Sequence, residues 1–106
     1  MPLRKVCVPF NRTQAIAFTP SNIRSSVPNS GGVYGIFDAD RWIYVGESER
    51  LQGRLLEHAA DLTHAMHSHH PTHFVYELTE QRLLRQNTLI KECVPCCNKR
   101  VARTKS

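Results

Sequence analysis

Apolar positions along the 106 residues fall into runs whose spacing changes several times. Val33, Tyr34, Ile36 and Phe37, and then Trp42, Ile43, Tyr44 and Val45, are β-branched or aromatic, while Asp38-Ala39-Asp40-Arg41 between them is turn-like. The pattern predicts an antiparallel hairpin with a tyrosine on each strand. From Glu49 to about Met66 the spacing lengthens: Leu51, Leu55, Ala59, Leu62 and Met66 recur at three and four, which predicts a helix with one buried stripe. Arg54 and His58 lie four apart and share a face of that helix, one turn from each other, where they can look onto the hairpin tyrosines. Thr72 to Leu78 reads as a third strand with Phe74, Tyr76 and Leu78 on one side. Thr79 is a good N-cap type for a second long helix running to about Glu92, with Leu83, Leu84, Leu89 and Ile90 as its apolar positions, and Pro95 stops it.

The two ends read less clearly. Residues 1–27 carry Pro2, Pro9 and Pro20 among short apolar groups, and their pattern suits either an added strand or a short helix. Thr19-Pro20-Ser21-Asn22 can open a turn of helix that ends before Pro28, because a residue preceding proline avoids the helical region. Asn29-Ser30-Gly31-Gly32 then forms a loop into the hairpin. Residues 99–106 are polar and basic, the composition of a mobile tail. No internal repeat occurs. These elements fit one α/β (α+β) domain: a small central antiparallel sheet of at least three strands flanked by helices.

Size and charge narrow the picture. A chain of this length with 41% hydrophobic residues has room for one core. Fourteen Lys and Arg against nine Asp and Glu give a formal charge of +5, which favours a polyanionic partner held through its phosphates. No apolar run approaches the roughly 18 residues of a membrane span, and the apolar stretch after Arg4 and Lys5 is short and broken by Pro9, unlike a secretory signal. Of the four cysteines, Cys93, Cys96 and Cys97 crowd into five positions, a poor disulfide framework, so reduced thiols in a cytoplasm are expected. Cys93-Val94-Pro95-Cys96 has the spacing of a zinc half-site that His64, His67, His69, His70 and His73 would complete only by converging. Packing of the cysteines as small hydrophobes is the simpler expectation.

Gly32-Val33-Tyr34 and Tyr44-Val45-Gly46, followed at fixed spacing by Arg54, carry a more specific message. The pattern resembles the GIY-YIG nuclease family, with a valine at the centre of each tripeptide. The resemblance continues through His58 one turn after Arg54, through Leu89-Ile90, and through Pro95 and Asn98, so that it spans roughly residues 28–98. It makes residues 1–27 an extension packed on a nuclease-like domain at 28–98. The family's metal-binding glutamate falls on Gln86.

The resemblance implies DNA cleavage by direct attack of water on phosphorus, with Mg²⁺ or Mn²⁺ as cofactor and DNA as partner, RNA remaining open. It implies that Tyr34 and Tyr44 line the cleft and activate or position the water, that Arg54 stabilises the transition state, and that His58 is an auxiliary acid, base or phosphate donor. Gly32, Gly46 and Asn98 would shape the cleft. An ordinary phenol has a pKa of about 10, so a tyrosine base needs help from a metal or a neighbouring cation. A guanidinium, always charged, meets two phosphate oxygens in a fork. The amide of Gln86 lacks the charge with which a carboxylate holds a hard dication, so metal binding should be weakened. Three explanations stay open: a glutamate replaced on purpose, a natural relative that binds without cutting, or a nuclease in which another acid has taken over. Glu80 lies about 240° from position 86 around an ideal helix, which makes Glu47 the better substitute. The readings are therefore a GIY-YIG endonuclease, a non-catalytic nucleic-acid-binding module on the same scaffold, and a zinc-stabilised interaction domain. The resemblance implies that a chain this small acts on structured DNA, forms a homodimer, or works beside another protein.

Overall fold

The structure, a computed structural model, describes residues 15–38, 41–61 and 70–93. In chain order the elements are β1 (Ile16–Ala17), α1 (Pro20–Ser26), β2 (Gly32–Phe37), β3 (Trp42–Ser48), α2 (Leu51–Ala60), β4 (His73–Leu78) and α3 (Arg82–Cys93). The four strands form one antiparallel sheet in the order β1-β4-β2-β3. Every residue of β2 is buried, as its place between two partners requires.

Alternation along the strands divides the interior in two. Tyr34, Ile36, Ile43, Phe74 and Tyr76 pack with Ile23 and Val27 around α1 and with Leu51 and Leu55 of α2. Val33, Phe37, Trp42, Val45 and Val75 pack on the other side against Leu89 of α3. The register shifts between Ile36 and Phe37, where Phe37 pairs with Trp42 after Ile36 has paired with Tyr44. That irregularity, with Ile43 as the extra residue, lets the neighbours Ile43 and Tyr44 both face the first core while Trp42 and Val45 face the second.

The hairpin, the third strand and both long helices lie where the pattern puts them, and four strands satisfy the expected minimum of three. Three details differ. The first long helix runs over Leu51–Ala60 with Leu51 and Leu55 fully buried, while Leu62 and Met66 fall outside the described residues. Leu78, expected beside Phe74 and Tyr76, is 52% exposed at the end of its strand. Thr79 does not cap α3: its Oγ1 accepts the Gln81 N–H at 3.0 Å, and the first helical bond runs from the Arg85 N–H to the Gln81 carbonyl. With the helix set this way, Leu83 and Leu84 are 62% and 64% exposed, and the face toward the sheet carries Arg82, Arg85 and Leu89.

At the front of the domain, Thr19 is the N-cap of α1, its hydroxyl accepting the Asn22 N–H at 3.2 Å, with proline in the first turn. Val27 closes this helix through its N–H to Ile23. β1 pairs with β4 through Ile16 opposite Phe74. Among the described residues no helix is long and apolar enough to cross a membrane.

Candidate active site

Two glycines allow the tyrosines to assemble. Tyr34 lies directly across from Gly46 in the sheet, and a methyl group at Gly46 would run into the Tyr34 ring and hydroxyl. A methyl group at Gly32 would overlap the Glu77 carbonyl and the Leu51 side chain, so this position lets β4 and the start of α2 close on β2. The spacing of Gly32, Tyr34, Tyr44 and Gly46 is thus a packing rule as well as a motif. Gly46→Ala is expected to destabilise the protein by about 1–3 kcal/mol, the usual cost of overpacking a filled core. Denaturant unfolding would read it, and an unchanged midpoint would show that Tyr34 yields without cost.

On Gly46 the Tyr34 ring is 1% exposed and its hydroxyl lies 2.6 Å from Nε2 of His58. His58 is itself only 7% exposed, although a histidine on a helix is ordinarily polar surface. Tyr44, half-buried on the neighbouring strand, meets the His58 ring edge-on with centroids 5.3 Å apart and lies 6.2 Å from the Tyr34 ring. Burial, and secondarily the nearby Tyr44, pushes the Tyr34 phenol well above its ordinary value of 10.0, against the opposing pull of Arg54. A phenol held neutral is a donor, so we assign the bond as Tyr34 O–H to an unprotonated Nε2. Tyr34 is therefore unsuited to act as a phenolate base, a task that the sequence left open to both tyrosines.

A pH prediction follows with a definite sign. The Tyr34 pKa is higher in the folded than in the unfolded chain, so its contribution to stability is complete below about pH 10 and is lost as pH rises toward the folded value. Cys93, whose thiol burial pushes up to about 12, acts in the same direction from its ordinary 9.0. Thermal unfolding between about pH 8 and about pH 11 should show a fall in Tm that is shallower in Tyr34→Phe. Equal slopes in the two proteins would contradict it.

Arg54 stands one turn before His58, half-exposed, with its guanidinium 3.2 Å from Glu57, which is itself 70% exposed. It lines a hollow of about 300 Å³ with Glu47, Ser48, Glu49, Arg50 and Arg82, all polar or charged. Glu47, the substitute acid suggested by the sequence, is held in a short ion pair by Arg82 of α3. A second pair lies deeper: Arg85 donates to both oxygens of Glu77 at 2.7 and 2.9 Å, and the Glu77 side chain is 8% exposed. The register explains both, since Glu47 and Glu77 flank Val33 on the side of the sheet that α3 covers. Arg82 and Arg85, three apart on one helix face, each hold one of these strand carboxylates, and Arg82 also reaches Glu49 at 3.5 Å.

Gln86 is half-buried on α3, one turn beyond Arg82, and does not line that hollow. Of the apolar positions of this helix, Leu89 is buried and Ile90 half-buried, while Leu83 and Leu84 face out. Asn98 falls outside the described residues, as do Pro95, Cys96, Cys97, His64, His67 and His69 of the zinc reading. Among the described residues no three His, Cys, Asp or Glu side chains converge on a common point. His73 instead stacks on Phe37 at 5.8 Å. A hard dication needs charged oxygens, yet Glu47 and Glu77 are each neutralised by an arginine and position 86 offers an amide. This donor set does not fit a tightly held Mg²⁺ or Mn²⁺.

Arg50, Arg82 and the Glu77–Arg85 pair were not singled out from the sequence. The period-two placement of Glu47 and the i, i+3 spacing of the arginines were visible, but the pairing depends on sheet register across 35 residues.

The sheet order and the helices on both of its faces give a GIY-YIG-like fold. The particular likeness is to the GIY-YIG N-terminal endonuclease domain of UvrC from Thermotoga maritima. Its crystal structure bound to magnesium, its catalytic divalent cation, is similar with a TM-score of 0.62 and 23% identity over 72% of this chain and 94% of that one. A tyrosine-to-phenylalanine point mutant of the same domain, bound to its catalytic divalent cation, gives a TM-score of 0.63 and 23% identity over 74% and 96%. No protein-family model and no curated protein matches the chain.

Proposed function

We propose that this chain is a DNA endonuclease-type domain whose cleft grips a backbone phosphate at Arg54 and sets the Tyr34–His58–Tyr44 cluster against it. The observation that carries this reading is the buried 2.6 Å contact between Tyr34 and His58, one helical turn from Arg54 in a fold shared with nuclease domains. An isolated surface arginine needs no such neighbours. Tyr34 fixes His58 by donating to Nε2, and the His58 ring with the half-buried Tyr44 beside it orients water and phosphate. Arg54 supplies the positive charge that growing negative charge on phosphorus requires. A divalent cation, in the domains that carry one, adds Lewis-acid stabilisation; among the described residues here, Glu47 and Glu77 are held by arginines and do not provide its seat.

A second reading has its own support. Gln86 and the two occupied carboxylates suit a domain that binds DNA without cutting it. Plasmid nicking in Mg²⁺, in Mn²⁺ and in chelator, together with duplex binding by fluorescence anisotropy, separates the two. Cleavage that Arg54→Ala abolishes supports the first reading. Binding that weakens steeply with salt, with no nicking under any condition, supports the second. Absence of binding even at low salt would remove nucleic acid from both.

A further inference from the structure

The hollow beside Arg54 is lined by three arginines from two separate parts of the chain. Arg50 precedes α2 and Arg54 stands one turn into it, while Arg82 arrives from α3 on the other side of β3. The acids that face them are Glu47 and Glu49, with Glu57 beyond Arg54. Most of these pairings are loose. Arg82 reaches Glu49 at 3.5 Å and that carboxylate is 82% exposed, and the Arg54 partner is 70% exposed, so both pairs exchange readily for a better anion. Glu47 is the exception, a carboxylate that is 24% exposed and closely held by Arg82. The Arg82 side chain keeps 29% of its surface open, with donors left over after Glu47 is satisfied.

Resting on the nuclease reading above, we infer that Arg82 is a phosphate-binding residue. With Arg50 and Arg54 it forms a cationic subsite for a DNA backbone phosphodiester, so that fixed guanidinium charge stands where, among the described residues, no cluster of acids seats a divalent cation. The chemistry suits the task. A planar fork matches phosphate oxygens, needs no deprotonated ligand, and is as effective in chelator as in magnesium. Glu47 sets the direction of Arg82 and competes with the phosphate for it. Binding of DNA by this subsite is metal-independent and stronger when Glu47 loses its charge.

The test is fluorescence anisotropy of a labelled short DNA duplex in chelator, over a salt series, with the full chain. Arg82→Gln should weaken binding roughly tenfold and make the dependence of log affinity on log salt shallower by about one phosphate contact. Glu47→Gln removes the same ion pair but frees Arg82, and should tighten binding. Opposite shifts in the two variants support the subsite. Equal weakening in both means that the pair is only structural and overturns it, as does wild-type binding that disappears in chelator and returns with Mg²⁺. Should Arg82→Gln fail to fold by thermal unfolding, Arg82→Lys keeps the charge without the fork; affinity equal to wild type with that variant also overturns the proposal. Arg54→Gln is the control for the underlying reading. If it weakens binding while Arg82→Gln does not, the subsite fails and the nuclease reading stands. If the wild-type chain binds no DNA at low salt, both fail.

Discussion

Arg54→Ala is expected to lower the rate of DNA cleavage by at least about a hundredfold, the scale of removing one preorganised charge from a transition state, while DNA affinity falls far less. The asymmetry is the informative part. Ground-state DNA is held by several cations of the same hollow, with Arg50 and Arg82 remaining after the substitution. The charge that develops on the phosphorus under attack is a local matter, and Arg54 is the arginine whose charge reaches Tyr34, where it opposes the rise in the phenol pKa. Stability should hardly change, because Arg54 is half-exposed and its ion pair with Glu57 lies at the surface. Single-turnover nicking and duplex binding, measured on the same preparation, separate the terms. Equal losses of rate and affinity would make Arg54 an anchor for phosphate and return the transition-state role to another group.

Much of this site could be read before any fold was known, for physical reasons that also explain what stayed hidden. Tyr34 and Gly46 announce themselves because a ring crossing a strand needs a residue without a side chain opposite, and this leaves a local mark at short sequence distance. Arg54 and His58 are legible because one helical turn is a fixed four-residue step. The burial of His58 was not legible: it depends on Tyr34 offering its hydroxyl from a strand 24 residues away. The same holds for the arginines of α3. Leu83 and Leu84 look like the helix's buried face, since apolar residues usually supply it, yet Glu47 and Glu77 on the sheet below draw Arg82 and Arg85 inward and turn those leucines to the surface. A charged row on a covered sheet face thus overrode the hydrophobic periodicity of the helix. β1 was legible only as the option of an added strand somewhere in residues 1–27, because two residues carry no period that would place it. The hairpin, which the sequence made plainest, is also the part that places Tyr34 and Tyr44 side by side.

Gln86→Glu is expected to convert the cleft to metal dependence, raising Mn²⁺-stimulated nicking by at least about a hundredfold over the unsubstituted chain, since a bound cation contributes several kcal/mol of charge stabilisation. Position 86 lies one helical turn beyond Arg82, on the side of α3 from which Arg82 reaches Glu47. A carboxylate there has two effects in the same direction. It supplies the charged oxygen that the amide lacks, and it competes with Glu47 for the Arg82 guanidinium, which loosens Glu47 as a second oxygen donor. The competition also sets a limit: if the new carboxylate takes Arg82 entirely, the pair neutralises itself and no cation binds. Calorimetric titration of Mn²⁺ into the protein without DNA distinguishes these outcomes independently of catalysis. Metal binding with accelerated nicking means that the neutral side chain at position 86 is what keeps the native cleft from using a cation. Metal binding without nicking places the defect in the phenol, imidazole and arginine cluster instead. Strong Mn²⁺-dependent nicking by the chain that still carries Gln86 would refute the expectation outright, and would require Glu47 to leave Arg82 and hold the metal itself.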